Sequence, residues 1–556
     1  MPQSSQFVPA ARSPMSFAGR LFVTNLLMLT ALQVAAQGAP VDLDRAPAPV
    51  IAAGDVGSDS AVLWVQADRE GTVKIELAAS SLPDAASAPD ASGAAEAAAV
   101  QQFQAELTAA SDYTAKILVQ GLNPGSMQNW RAAVVSGADV LGEQARGSFR
   151  TAPGAFSPEP VHLAWGGDLA GQNVCRDAHR GFEVFNAIFA TAPELFIGLG
   201  DMIYADGLCD AVGRYGNAQI PGSFGQAVDL AGFRAHWRYS RADASLRRLL
   251  AGTAYYAVWD DHEVVNDFGP LHDTRDQPPY RAGVHLLPLG LSAMLEQNPI
   301  AESALTPKRL YRSVRWGQHL ELLLLDTRQY RDPNLAEDTA DRPKTLLGRE
   351  QLTWLKERLA NSDATWVVVA SSVPMSIPTG LPEAGGRDGW ADIDGPRGFS
   401  RELRAIVAHA AVSGRNDLVF ISADAHVGAA FSYRPFAEYP RFVVHELIAP
   451  PLSAGIGDGR DFDRDLGAER LFHHAPMSSD GLTSYEQARA WFGFGEIRID
   501  AAGNLAAVLR GVDGEPLYEL QLSPTSATRL ADNRVGDRAW EPPVAGTCSD
   551  SALLQY

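Results

Sequence analysis

The sequence predicts an α/β protein in which a small antiparallel β-sandwich precedes a four-layer α/β/β/α sandwich. Three observations carry this. Val50 to about Pro153 reads as short β segments separated by turn residues, apolar runs alternate with helical patterns from Val161 onward, and four of the apolar runs end in acidic groups. A length of 556 residues allows more than one core, and two domains fit best. The expected division is a leader at 1–36, the small sandwich at 45–153, the larger domain at 160–524 and a polar tail at 525–556.

Arg12 and Arg20 precede an apolar stretch, Leu21 to Ala36, that ends in Val34-Ala35-Ala36, as an export signal with small residues at its cleavage site does. Interrupted by Asn25 and Gln33, its 16 residues fall short of the ~20 that span a bilayer, so a secreted or periplasmic protein without a membrane anchor after cleavage is expected. Met15 is an alternative start.

In the small sandwich, strands are expected at Ser60–Gln66, Thr72–Leu77, Asp112–Leu118 and Asn129–Val135. Between them, residues 80–99 are nearly all Ala, Ser, Pro, Asp and Gly, too poor in apolar surface to order firmly. The larger domain opens with a βαβ unit: strand 161–167, a helix near 179–191 and strand 195–199, with 33 residues from Asp168 to Asp201, enough for one right-handed crossover. Strands at 254–258, 320–325, 365–370 and 418–422 and helices at 348–361 and 400–411 follow. Phe442–Ile448, Gly495–Ile499, Ala506–Arg510 and Tyr518–Leu522 read as antiparallel strands completing a second sheet.

Lys plus Arg number 46 against 66 Asp plus Glu, a formal charge of −20. Such a surface repels polyanions over about a Debye length, which disfavours nucleic acid as a stable partner, although a cationic centre can still attract a small phosphate. Cys175 and Cys209 each follow an acidic strand end, Asp168 and Asp201, by seven or eight residues. Both should lie on one rim, where an exported chain would join them in a disulfide; the alternative is that these two and Cys548 are unrelated thiols.

The run Val258 to Asp267 (VWDDHEVVND) holds four carboxylates, an imidazole and a carboxamide within eight residues. A packed core has no use for such a cluster, whereas a polyvalent cation relieves its repulsion and desolvation. Asp168 after LAWGG, Asp201 with Tyr204 after LFIGLG, and Asp424 with His426 after LVFISA repeat the design. Ligands collect beyond the carboxyl ends of buried strands in layered α/β folds, so the four termini should converge. Hard oxygen and nitrogen donors suit iron, manganese, zinc or calcium, and their number suits two ions sharing a carboxylate. Water acidified between two such ions attacks phosphorus in line, which points to phosphoester hydrolysis.

The motifs GDMIY, WDDHEVVND, LLLLDTRQYR and SADAH together resemble those of the PhoD-like alkaline phosphatases of the metallophosphoesterase superfamily, and the resemblance covers most of the chain. It implies the four-layer metallophosphoesterase sandwich, and VIAAGDVGSDSAVLWVQA, GLNPG and GSFRTAP resemble the immunoglobulin- or fibronectin-like sandwich preceding it in that family. It further implies that Asp168, Asp201, Tyr204 and His426 hold one ion, commonly iron, and that Asp201, Asp261 and Asp424 hold a second, calcium. His262 would protonate the leaving oxygen or bind phosphate, Asn266 would serve as a ligand or substrate contact, and Arg328 would clamp phosphate. Arg331 also follows the strand, and a structural salt bridge is the other reading of both arginines; Asp260, Glu263 and Asp267 are expected behind the ligands, orienting them.

Two departures stand out. Gly166-Gly167 occupies the position where many relatives carry a cysteine ligand, and the leader lacks twin arginines. The first leaves the identity of the first metal open, and the second favours general secretion with metal loaded outside, where manganese or zinc becomes possible. A phosphomonoesterase or phosphodiesterase acting on small esters is the leading expectation. The alternatives are a non-catalytic surface protein stabilised by metal and a nuclease- or phospholipase-type phosphodiesterase.

Overall fold

The computed structural model describes residues 48–79, 100–137, 139–269, 285–380 and 387–525. The expected leader, the 80–99 insertion, Cys548 and the tail beyond Thr525 lie outside these residues. Among the described residues, no helix is long and apolar enough to cross a membrane.

The first eight strands are β1 (Val50–Gly54), β2 (Ser60–Gln66), β3 (Gly71–Ala78), β4 (Gln101–Leu107), β5 (Thr114–Gln120), β6 (Met127–Ser136), β7 (Asp139–Val140) and β8 (Ala145–Arg150). There follow β9 (Val161–Gly166), α1 (Val184–Ala190), β10 (Leu195–Leu199), α2 (Leu230–Arg241), α3 (Ala244–Gly252), β11 (Ala254–Val258) and α4 (Leu287–Gln297). Next come β12 (Arg312–Trp316), β13 (Leu320–Leu324), α5 (Gly348–Asn361), β14 (Trp366–Ala370), α6 (Ser400–Val412), β15 (Leu418–Ser422), β16 (Gly428–Tyr433) and β17 (Val444–Ile448). The described chain ends with β18 (Ala468–His474), α7 (Tyr485–Arg489), β19 (Gly493–Ile499), β20 (Leu505–Gly511) and β21 (Pro516–Leu522).

Two large sheets pack face to face. One has nine strands in the order β21-β20-β19-β9-β10-β11-β1-β2-β5, the other seven in the order β12-β13-β14-β15-β17-β16-β18. Successive side chains on a strand point to opposite faces, and the sequence uses both. Leu163, Trp165, Ile197, Tyr256 and Val258 meet Leu322, Leu324, Val368, Val419 and Ile421 between the sheets. Their neighbours Ala164, Phe196, Tyr255 and Ala257 face Phe185, Phe233, Trp237 and Leu249 of the helices outside the first sheet. Leu323, Val367, Val369 and Phe420 face Leu355, Leu359, Leu403 and Ile406 on the other side. Burial on both faces explains why these strands are continuous apolar runs, each full burial contributing about 1.5–3 kcal/mol.

The all-β N-terminal part builds a five-stranded sheet, β4-β3-β6-β7 with β8 on β6, whose Val73, Ile75, Trp130 and Ala132 share the intersheet core with Ile51, Leu63 and Val65. Its partner layer is the edge of the nine-stranded sheet itself, because β1 runs parallel to β11, Ala53 facing Ala254 and Gly54 facing Tyr255. One sheet therefore serves both sandwiches.

The structure corrects the placement of the last strands. β17 lies parallel to β15 within the seven-stranded sheet, while β19, β20 and β21 extend the other sheet through antiparallel pairing of β19 with β9. β9 has one edge taken by β10 and offers the other to β19, a choice that local pattern does not encode.

Candidate metal centre

Asp168, Asp201, Asp261 and Asp424 each stand two or three residues past the carboxyl end of β9, β10, β11 and β15. The backbone turns sharply there: Asp168 (φ 62°), Asp201 (51°), Asp424 (64°) and His426 (56°) all adopt the left-handed conformation. Non-glycine residues visit this region at a cost of about 1–3 kcal/mol each, and such strain collects at functional sites. The strand ends also approach closely, since a Cβ on Gly167 would lie 2.8 Å from the Gly200 carbonyl and 2.9 Å from the Ala423 Cβ. No side chain, and hence no ligand, fits at 167 in this backbone.

One oxygen from each of Asp201, Asp260, Asp261 and Asp424 lies within 4.8 Å of the others, and Asp201, Asp261 and His262 form an overlapping group. Beside them, His426 Nε2 stands 2.9 Å from the Tyr204 hydroxyl and 3.5 Å from Asp168 Oδ1. His426 Nδ1 lies 2.5 Å from the Gly455 carbonyl, which can only accept, so Nδ1 carries the proton and Nε2 keeps its lone pair for a ligand. All six expected ligands are thus brought together.

Both carboxylate oxygens of Asp168, Oδ2 of Asp201, Asp260 and Asp424, and Oδ1 of Asp261 are buried without a hydrogen-bond partner. An isolated buried carboxylate is far too costly to ionise, and the titration reflects this. Burial, reinforced by Asp260, pushes Asp168 up to about 8, and burial with neighbouring acids pushes Asp201 and Asp424 well above the usual range. Asp261 resists: against its burial, Arg328 and His262 hold it down at about 2. Unpartnered buried acceptors on residues gathered this closely are the donor set that cations of +2 or +3 require, so the residues fit metal.

His262 sits over the Tyr204 ring, centroids 4.0 Å apart, and its backbone N–H donates to Asp201 Oδ1 at 3.1 Å. Its Nδ1 is 2.6 Å from Asp206 Oδ1; burial opposes a charge there, but Asp206 and Asp261 outweigh it and raise the imidazole to about 9. Asp206 also accepts the Asn266 backbone N–H at 3.1 Å, which brings the half-buried Asn266 to the same hollow. Sequence reasoning missed Asp206, whose place five residues beyond Asp201 in GDMIYAD was the available signal. It also missed Asp388, which groups with Asp261 and Asp267.

Glu263 stands behind the ligands as expected, accepting the backbone N–H groups of Asp201 (3.0 Å), Met202 (2.8 Å) and Asp260 (2.8 Å). Asp267 donates its own N–H to Asp261 Oδ2 at 2.5 Å. Arg328 fits the salt-bridge reading: its side chain is 0% exposed and its guanidinium is paired with Asp260 and, at 3.2 Å, with Asp388. Arg331 is equally buried, bonded to the Thr327 carbonyl and Asn334. On the rim, Cys175 and Cys209 form the expected disulfide, with Cα atoms 5.7 Å apart.

The sequence matches the family model of the PhoD-like phosphatase over residues 163–504 and that of the PhoD-like phosphatase N-terminal domain over 42–153. A relative, alkaline phosphatase D of Bacillus subtilis (strain 168), is 27% identical over 284 residues, 48% of this chain and 47% of the relative. The match spans about half the length of that curated protein. A solved structure of PhoD shares the fold with a TM-score of 0.64 at 19% identity, covering 86% of this chain and 93% of that one. The purple acid phosphatase PPD1 of yellow lupin (Lupinus luteus) seeds aligns with a TM-score of 0.52 at 11% identity, covering 86% of this chain and 74% of its own. With more than half of its length matched by the catalytic family model, the chain belongs to the PhoD-like phosphatase family.

Proposed function

We propose that this chain is an exported, metal-dependent phosphohydrolase that cleaves small phosphomonoesters, phosphodiesters or both. The carrying observation is the cluster of buried, unpartnered carboxylate oxygens that four strand ends bring together beside a phenol and an imidazole. Asp168, Asp201, Tyr204 and His426 would hold one ion and Asp201, Asp261 and Asp424 a second; family resemblance favours iron and calcium, and manganese or zinc would suit the same donors. When bound, such ions supply Lewis acidity, acidified water and neutralisation of phosphoryl charge.

The protein's own groups do the rest. His262, held by Asp206 through Nδ1, presents Nε2 as the proton donor to the leaving oxygen, a task worth about 10²–10⁴ in rate. Asn266, anchored to the same Asp206, contacts substrate or metal. Glu263 and Arg328 keep the ligand backbones and Asp260 from moving. Residues 160–524 would form the catalytic domain and 45–153 a supporting one. Export is supported by the apolar leader and by a disulfide that needs an oxidising compartment.

The test is turnover of p-nitrophenyl phosphate and bis(p-nitrophenyl) phosphate by protein stripped of metal and resupplied with iron, calcium, manganese or zinc. Hydrolysis of either ester on resupply is expected. A metal-replete sample inert towards both overturns the proposal.

A further inference from the structure

With Arg328 buried among carboxylates, a cationic side chain for the phosphoryl group would have to come from elsewhere, and the rim carries one. The segment between Ala205 and Ala227 closes on itself: the Ala227 N–H donates to the Ala205 carbonyl at 2.7 Å and Gly222 to Cys209 at 2.9 Å, while the disulfide ties Cys209 to Cys175. Arg214 projects from this loop. Its backbone N–H is fixed to the Asn173 carbonyl at 2.8 Å, and its side chain is exposed.

The guanidinium lies against Tyr215, 5.9 Å from the ring centroid. Ile456 is bracketed by two bonds to His426: Gly455 accepts from Nδ1, and the Gly457 N–H donates to the His426 carbonyl at 3.1 Å. Asn173, which holds the Arg214 backbone, follows Gln172, whose Oε1 accepts the Gly455 N–H at 2.9 Å, so Arg214 stands on the segment that braces the carbonyl partner of the candidate ligand His426. Two further facts mark the position as built for an anion. Arg214 has no carboxylate partner among the described residues, and the Tyr215 hydroxyl beside it is buried, 5% exposed, with no hydrogen-bond partner.

We propose that Arg214 is the phosphate-binding arginine of this site, donating from its guanidinium to a non-bridging oxygen of the substrate phosphoryl group, with Tyr215 steadying it. This rests on the hydrolase reading above. A planar fork of donors matches a phosphoryl face, and charged hydrogen bonds of this kind are strong.

The experiment measures inorganic phosphate binding by titration calorimetry, together with kcat and KM on p-nitrophenyl phosphate, for metal-loaded wild type, Arg214→Gln and Arg214→Lys. Metal content and melting temperature are recorded for each. Arg214→Gln should weaken phosphate binding roughly 10- to 100-fold and raise KM more than it lowers kcat. Arg214→Lys should fall between, and metal content should not change. Phosphate affinity in Arg214→Gln equal to wild type overturns the proposal, as does a loss of metal that accompanies the loss of phosphate. If metal-loaded wild type neither binds phosphate nor turns over, it is the hydrolase reading that fails.

Discussion

Replacing Asp201 by Asn should stabilise the stripped protein and destabilise the loaded one. Asp201 shares a 4.8 Å cluster with Asp260, Asp261 and Asp424, and at an effective dielectric of about 20 each fully ionised pair at that distance repels by roughly 3 kcal/mol. Asparagine keeps the Oδ1 acceptor for the His262 N–H and puts an amide donor where the unpartnered Oδ2 now faces other acids. Protonation already relieves part of the repulsion, so a gain of about 2–4 kcal/mol is expected without metal. Loaded wild type gains instead by mass action, about 4.1 kcal/mol for each of two ions at a thousandfold excess of free metal over Kd, and the variant, altered at the carboxylate both ions would share, forfeits most of that. In a chain of this size 1 kcal/mol moves the melting temperature by roughly 1 °C. Scanning calorimetry with chelator and with metal should therefore show the two proteins crossing, the variant melting a few degrees higher when stripped and lower when loaded. A variant that melts lower under both conditions would refute the reasoning, because Asp201 would then be held by hydrogen bonds and not by a cation.

Arg328→Gln should lower the melting temperature, since leaving Asp260 and Asp388 buried without their cation costs about 3–5 kcal/mol; an unchanged melt with a raised KM would restore the clamp reading. Reduction of the Cys175–Cys209 bridge, which closes a 34-residue separation, should destabilise by roughly 3–4 kcal/mol and be abolished in the Cys175→Ser/Cys209→Ser double variant, as calorimetry with and without reductant will show. Glu402 offers a pH test away from the metal ligands. Burial raises its carboxyl to about 7 despite bonds from Thr345, Leu346 and Leu347, so its contribution is fully present below about 4.5 and is lost as pH rises through 7. Glu402→Gln should flatten the fall in melting temperature between pH 5 and 8, which amounts to about 3 kcal/mol in wild type, and identical slopes would argue against it.

The strand ends were legible because their chemistry is local. Doubly buried strands must be apolar throughout, so an aspartate directly after LFIGLG or LVFISA is conspicuous. α2 escaped sequence reading for a physical reason: its inward stripe has helical spacing but consists of Phe233, His236, Trp237, Ser240 and Arg241, three of the five polar. Arg241 tolerates that place because the rings of Trp64, Trp237 and Tyr255 surround its guanidinium and Asn298 accepts from it at 2.6 Å. Asp206 was passed over although it lies in GDMIYAD, since nothing local says that its carboxylate meets an imidazole 56 residues on. The two arginines after β13 look alike in sequence, and only the packing of Asp260 and Asp388 around Arg328 tells them apart.

The parallel pairing of β1 with β11 dictates the order in which the chain can be assembled. The opening strands leave the ribosome early, yet their main-chain partners include Ala254 and Tyr255, far downstream. Until β11 arrives they can form only the local β1-β2-β5 meander, and once it does they seal a margin of the catalytic sheet that would otherwise invite pairing between molecules. A fragment beginning after Pro153 would carry every candidate metal ligand and still expose that raw margin, so the two halves cannot be traded like beads on a string.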